Sequence, residues 1–310
     1  MRPESAAESG SIGSVSLCGA ATAVPAATAE LTRSPPMDLV VTDLDGTLWD
    51  RTGLIHPDTI RALRALREAS VPVLAATGRS ARSAWPVMEA NGVALPAVFL
   101  DGAIGLEFGA TTPFHRHDFP PALAAQVLVI LDELGAGPCI NVDTPGRDIV
   151  LGANPLTHPE YLRRLQPWVR MEDPWTAVRT LPVLAFTLLG SDHSMMLDLA
   201  AAVTSQAPVA SAISPDRTFG GLHLSFRPLG VNKWSGVTAY CAVKGLDAGR
   251  VLAIGDADND FELLDGASLA IAVADASPGA LERADLIVAP ASEGGWAGIV
   301  DVLGLPGASW

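Results

Sequence analysis

Asp43 and Asp45 stand one residue apart in LVVTDLDGTLWD, directly after an apolar run and just before a glycine. Like charges this close repel, and both stay ionised at low cost only where a cation lies between them or where one is meant to carry a proton. A second acidic cluster follows another apolar run, where AIGDADND supplies Asp256, Asp258 and Asp260. Short oxygen ligands suit Mg²⁺, which binds through one or two carboxylates plus a substrate phosphate and keeps several waters. Gly46 permits a sharp turn after the first cluster, and the turn is expected to leave the N–H groups around Thr47 free to form a nest for an anion. DADND also matches the first three ligand positions of an EF-hand loop. The central glycine of such a loop would fall on Phe261 and its closing glutamate on Ala267, so calcium of that kind is set aside. Helix capping would account for Asp58 or Asp258 taken singly, but not for two clusters at two strand ends.

Carboxylates from distant segments can meet only if a sheet brings their strands together. From Asp38 short apolar runs alternate with amphipathic stretches, the α/β signature. LVVTD, VPVLAATG and AVFLDGA read as strands, and PDTIRALRALREAS as a helix with apolar residues three and four apart. These strands are short, rich in Val, Leu and Ala, and end near a Gly, as parallel strands buried on both faces do. After about Gly105 several strands follow one another with fewer helices, which suggests an α+β module with an antiparallel sheet. The βα rhythm then resumes with the helix NKWSGVTAYCAVKG and the strand VLAIGD. The expected organisation is therefore α/β, a Rossmann-like doubly wound parallel sheet core (residues 37–105 and 228–310) with an inserted α+β cap domain (residues 106–227). The acidic clusters then meet at the carboxyl ends of the core strands, where open α/β sheets place their ligands.

Residues 1–36 are rich in Ala, Ser, Thr and Pro, with few large apolar residues, and are expected to be a disordered tail. A secretory signal is a poor match, since the first ten residues carry two glutamates against one arginine and the centre is weakly apolar. Met37, just before the first strand, is an alternative start of translation. The net charge of −14, with 34 acids against 20 bases, argues against a general affinity for nucleic acid. No apolar stretch approaches the roughly 18 residues of a membrane span. Cys18, Cys139 and Cys241 are scattered and odd in number, which fits neither a zinc pattern nor a disulfide framework. A cytoplasmic protein with no membrane or nucleic-acid partner is expected.

DLDGTL, ATGRS, NKWSG and GDADNDFELL, in this order, resemble the four motifs of the haloacid dehalogenase (HAD) superfamily of phosphohydrolases. The large insert between the second and third motifs resembles the Cof-type branch, which includes sugar-phosphate phosphatases and phosphomannomutases. The resemblance spans residues 37–305 in organisation. It implies that Asp43 attacks phosphorus and forms an aspartyl-phosphate, and that Asp45 protonates the leaving oxygen and later activates water. It also implies that Thr77 hydrogen-bonds a phosphoryl oxygen, and that Lys233 neutralises charge on the phosphoryl group and on Asp43. Mg²⁺ would be held by the carboxylates of Asp43 and Asp256 and by the backbone carbonyl of Asp45. Asn259 and Asp260 would orient these groups, and Gly46, Gly78 and Arg79 fall at phosphate-binding positions. Arg79 is also placed to touch substrate or to bridge to the cap. Taken alone, a Thr ending a strand or a Lys near a helix start is an ordinary structural or surface residue.

Three positions depart from the family pattern. Asp101 stands where Asn is common, Trp234 follows Lys233 in place of Gly, and VADA replaces Met-Gly-Asn-Ala, with Asp275 in place of Asn. Asp101 would add negative charge at the rim of the site if it points inward. Specificity is expected from the cap, with His115, Arg116, His117, Arg147 and Arg217 as candidates, although each on its own is more simply an exposed charge. Trp168 and Trp175 are expected in the cap core. The implied function is a Mg²⁺-dependent phosphatase acting on a small phosphorylated metabolite such as a sugar or polyol phosphate. The alternatives are a phosphomutase on the same fold and a non-catalytic metabolite sensor.

Overall fold

The structure, a computed structural model, describes residues 37–190, 192–216 and 220–305, so the tail at 1–36 and Arg217 lie outside the described residues. In chain order the strands are β1 (Leu39–Thr42), β2 (Val73–Ala76), β3 (Ala97–Phe99), β4 (Ile104–Leu106), β5 (His115–Arg116), β6 (Cys139–Val142), β7 (Ile149–Leu151), β8 (Val183–Gly190), β9 (Val209–Pro215), β10 (Leu222–Pro228), β11 (Val251–Gly255), β12 (Leu269–Val273) and β13 (Leu286–Val288).

The first sheet runs β13-β12-β11-β1-β2-β3-β4-β5. The pairs from β13 to β3 are parallel, and β4 and β5 extend one edge in antiparallel fashion. The chain winds outward from β1 through β2 and β3, then returns on the other side through β11, so the order reverses between β1 and β11. Thr42 pairs with Ile254 across that junction, and Asp43 and Asp256 therefore emerge side by side.

All residues of β1, β2, β3 and β11 are buried, as strands covered on both faces must be. Val40 and Leu252 share one face with Ala62 and Leu66 of the helix Pro57–Glu68. Leu39 and Val41 share the other with Val237, Tyr240 and Cys241 of the helix Lys233–Lys244. Helices on both faces make the sheet doubly wound.

The inserted sheet runs β7-β6-β8-β10-β9, antiparallel throughout. Helices Pro121–Glu133 and His193–Gln206 cover one face, packing Val127, Leu131, Met196 and Val203 against Ile140, Phe186, Leu224 and Phe226. Asn141, Thr187, Ser225 and Arg227 are polar yet buried, and alternation turns Ser225 and Arg227 away from that apolar face. Arg82 of the core donates to Asn141 Oδ1 at 3.0 Å and pairs with Asp148, which ties the cap to the core.

The helices Ala81–Ala90 and Pro174–Thr180 are not foreseen from sequence. The first holds Pro86, which removes a backbone donor and reads as a breaker, and the second is only seven residues long. His115 and Arg116 belong to β5 of the first sheet, although the periodicity places them in the insert. Trp175 packs on the cap core as expected, whereas Trp168 is 40% exposed. Among the described residues, no helix is long and apolar enough to cross a membrane.

Gly102 has φ of +112°, and a Cβ there would lie 2.1 Å from the Asn232 carbonyl oxygen. Neither the backbone angle nor the space admits a side chain. Gly102→Ala is therefore expected to destabilise the fold by about 3 kcal/mol or more. Urea unfolding checks this, and a loss below about 1 kcal/mol would contradict the contact.

Candidate active site

The site begins where β1 stops. The Thr42 hydroxyl donates to the Asp43 carbonyl at 2.6 Å and accepts from Trp296 Nε1 at 2.9 Å, which anchors the strand end. Asn232 caps the helix Lys233–Lys244 by accepting from Ser235 N at 2.8 Å, while Ser235 Oγ accepts from Asn232 N at 3.1 Å. This reciprocal cap fixes Lys233 as the first helical residue, with its side chain fully buried. Lys233 Nζ donates to Asp43 Oδ1 and to Asp260 Oδ1, each at 2.6 Å. The other oxygen of Asp260 accepts from the amides of Asp256 and Ala257, both at 3.0 Å, so Asp260 braces the loop after β11. Asp256 accepts from Thr47 Oγ1 at 3.2 Å.

Carboxylate oxygens of Asp43, Asp256 and Asp260 lie within 4.8 Å of one another. Burial pushes the Asp43 carboxyl well above its usual range, against the pull of Lys233, and the neighbouring Asp260, Asp256 and Asp45 push it further. Burial also works against the Lys233 charge, but Asp260 and Asp43 outweigh it and hold the ammonium above its ordinary value. Three buried acids around one ammonium leave an excess of negative charge among oxygen donors. Such a donor set fits a hard divalent cation. Asp43 accepts from Lys233 through Oδ1 and Asp256 from Thr47 through Oδ1, while both oxygens of Asp260 are taken up by Lys233 and two amides.

Asp45 lies apart from that cluster of carboxylate oxygens. Its carboxylate accepts from Arg79 Nε at 2.5 Å, from Arg79 Nη2 at 2.6 Å and from Trp49 Nε1 at 3.1 Å. The Arg79 contact is a bidentate fork, the strongest geometry available to this pair. Gly46 adopts φ of +89° as the turn requires. The expected free nest is corrected here, because Gly46 N donates to Trp49 O at 2.9 Å and Thr47 N to Leu44 O at 3.3 Å. The turn uses these amides to hold itself.

Thr77 ends β2 with its hydroxyl accepting from Arg79 N at 3.1 Å. A Cβ on the adjacent Gly78 would lie 3.1 Å from Asp101 Oδ1. Asp101 is not a rim charge. It is buried, with φ of +49°, and its Oδ1 accepts from Asn259 Nδ2 at 3.0 Å. Ser225 Oγ donates to its Oδ2 at 3.4 Å, and Arg227 Nη1 donates to its backbone carbonyl at 3.0 Å. Burial would raise the Asp101 carboxyl, but Arg227, Lys233 and Asn259 outweigh it and hold it below its ordinary value.

The structure brings Asp43, Asp45, Thr77, Gly78, Arg79, Asp101, Lys233, Asp256, Asn259 and Asp260 into one connected region. The remaining candidates have other partners. His115 donates from Nε2 to Gly102 O at 3.0 Å, and its burial depresses its basicity. Arg116 pairs with Asp118 at 2.7 Å and Asp143 at 2.9 Å. His117 is exposed, and Arg147 is exposed and donates to Val169 O at 3.4 Å. Local ion pairs and carbonyls, rather than a ligand pocket, occupy His115, Arg116 and Arg147. The Trp234 ring fills the space left by Gly266, whose Cβ would lie 2.3 Å from it. Asp275 lies at the surface, 3.7 Å from Arg51.

Trp49, His223, Ser225 and Arg227 join the region without having been foreseen, and Thr47 joins it through its hydroxyl instead of its amide. The signal for His223, Ser225 and Arg227 was present in LHLSFRP, where polar residues alternate with buried apolar ones inside a strand.

A family model for haloacid dehalogenase-like hydrolases matches residues 40–300. The chain belongs to this family, and its inserted cap agrees with the Cof-type organisation. It is 23% identical over 275 residues to pyridoxal phosphate phosphatase YbhA of Escherichia coli, covering 81% of this chain and 92% of that protein. It is 28% identical over 253 residues to a phosphoglycolate phosphatase of Methanopyrus kandleri, covering 81% and 90%. A solved phosphatase of the same superfamily from Bacteroides thetaiotaomicron superposes with a TM-score of 0.70 at 16% identity, over 92% of this chain and 99% of that one.

Proposed function

We propose that the protein is a Mg²⁺-dependent phosphatase that hydrolyses a small phosphorylated metabolite, a sugar or polyol phosphate, through an aspartyl-phosphate. The observation that carries this is the buried array in which Lys233 bridges Asp43 and Asp260 beside Asp256. The phosphatase names borne by the two relatives support the same reading.

Asp43 and Asp256, with the backbone carbonyl of Asp45, would hold the cation, which neutralises phosphoryl charge when bound. Lys233 supplies fixed positive charge at Asp43, and Thr77 offers a hydroxyl to a phosphoryl oxygen. The Asp43 carboxylate attacks phosphorus as the ester P–O bond breaks, and the proton on Asp45 passes to the leaving oxygen. Water then attacks the same phosphorus and gives its proton to Asp45, releasing Asp43 and inorganic phosphate. Asp45 accepts from both Arg79 nitrogens, a pairing that favours its ionised form, so it takes up a proton more readily once Arg79 lets go. In this scheme Arg79 transfers to an oxygen of the bound ester, which couples substrate arrival to release of the acid.

A phosphomutase needs unneutralised cations for a second phosphate. Arg82, Arg116 and Arg227 each already face a carboxylate, and Arg79 is committed to the first phosphate in this scheme, so these four offer no cation to a second and hydrolysis is the better supported reading. A sensor has no use for an acid two residues after a nucleophile, and Asp45→Asn is expected to retain ligand binding while losing turnover. The direct test is phosphate release from a panel of phosphorylated sugars, polyols, nucleotides and pyridoxal phosphate, with Mg²⁺ and with EDTA. Release that requires Mg²⁺ is expected. A folded protein that releases phosphate from none of them would overturn the reading.

A further inference from the structure

Outside the metal cluster, a concentration of buried polar groups lies on the inner side of β10. Alternation sends Leu224 and Phe226 into the cap core, and His223, Ser225 and Arg227 to the opposite face. Arg227 is 5% exposed, yet it is anchored at one end only. Its Nη1 donates to the Asp101 carbonyl and lies 3.7 Å from Asp101 Oδ2, while its Nε–H is buried with no acceptor. Buried donors are almost always paired, and one left open beside an active site calls for a ligand atom.

The position of Arg227 is specific. Asp101 joins it to Asn259 on the loop after β11, and Asp101 N donates to Thr77 O at 3.0 Å. Arg227 thus stands one residue away from both loops of the phosphate site. His223 feels Asp101, Asp216 and Arg227, and burial keeps its imidazole less basic than usual. Asp216 also acts on Arg79, which links this side of β10 electrostatically to the catalytic edge.

We propose that Arg227 is a specificity-determining residue whose Nε–H receives an uncharged oxygen of the substrate's leaving group, beside His223 and Ser225. The charge balance selects an uncharged group. Asp101 already offsets the guanidinium, so Arg227 has no net charge left to balance a carboxylate, and an uncharged acceptor suits its one unpaired N–H. A hydroxyl can accept from Nε–H and still donate to a neighbour. The inference rests on the phosphatase reading and extends it to the choice of leaving group.

The test compares kcat/KM for glycerol phosphate, for phosphoglycolate, whose smaller leaving group carries a carboxylate in place of hydroxyls, and for phenyl phosphate, whose leaving group has no oxygen beyond the ester. The protein is expected to favour glycerol phosphate over phosphoglycolate by about tenfold or more. Arg227→Lys keeps a charge opposite Asp101 but deletes the Nε–H. It is expected to lower kcat/KM for glycerol phosphate about tenfold more than for phenyl phosphate. The double variant Arg227→Met with Asp101→Asn removes the pair as a neutral unit, and should show the same differential loss if the lysine variant folds poorly. Equal losses on both esters, or a preference for phosphoglycolate, would overturn the assignment while hydrolysis of phenyl phosphate upheld the phosphatase reading. Hydrolysis of none of the three esters would remove both.

Discussion

Asp43→Asn is expected to abolish phosphate release, with a fall on the order of 10⁴-fold or more in kcat, because the proposed scheme forms its covalent bond on this carboxylate. The same change is expected to leave the metal-free protein as stable as before, or more so. Asp43 is buried beside Asp260 and Asp256, and its carboxyl is held well above its usual range despite Lys233. For an acid whose folded value lies above its unfolded one, the stability cost appears as pH rises through the unfolded value and grows until the folded one is passed. An uncharged amide avoids that cost at neutral pH. Thermal unfolding in EDTA should therefore give the variant a Tm equal to or above that of wild type. Added Mg²⁺ should raise the wild-type Tm and shift the variant much less. Retention of more than about a hundredth of the wild-type rate would remove Asp43 from the nucleophile's role.

Lys233→Met should damage the fold as well as the chemistry. The ammonium separates two buried carboxylates at 2.6 Å each, and deleting it leaves Asp43 and Asp260 facing one another with nothing between them. Removing one partner from a buried ion pair costs about 3–5 kcal/mol, which for a chain of this size corresponds to a fall in Tm of roughly 10 °C. The loss should be smaller at pH 5 than at pH 8. The Asp43 carboxyl, pushed upward by burial even with Lys233 present, binds a proton more readily in the folded state and loses that advantage as pH rises. Adding Asp260→Asn to Lys233→Met should recover part of the stability without recovering turnover. A Lys233→Met protein as stable as wild type at pH 8 would show that the bridge carries little of the fold's free energy.

The apolar runs LVVTD and VLAIGD led directly to neighbouring parallel strands, because a strand buried on both faces has to be continuously apolar. The acids at their ends were equally legible, since like charges in succession have few structural explanations. The cap was legible as a change of rhythm, but its inner face was not. Arg227 and Ser225 look like ordinary surface residues until β8 and β9 are seen to flank their strand and Asp101 to lie opposite. Asp101 was misjudged for the same reason, because its carboxylate is balanced by an arginine 126 positions away. His115 and Arg116 were drawn towards the pocket by their chemistry alone, whereas the sheet edge and local carboxylates claim them.

Gly102 touches the carbonyl of Asn232, and the neighbouring Ala103 accepts from His117 N at 2.8 Å. The segment leaving for the second sheet and the segment coming back therefore cross the core within one residue of each other. The molecule is built like a vise, with two jaws joined where these segments cross. Arg82, gripping Asn141 and Asp148 from the core, is the catch. Because both crossings pass the core at Gly102 and Asn232, the placement of Asp43 beside Asp256 rests on β1 and β11 and not on the chain between the crossings. Bond breaking can then stay constant in a lineage while the choice of substrate drifts.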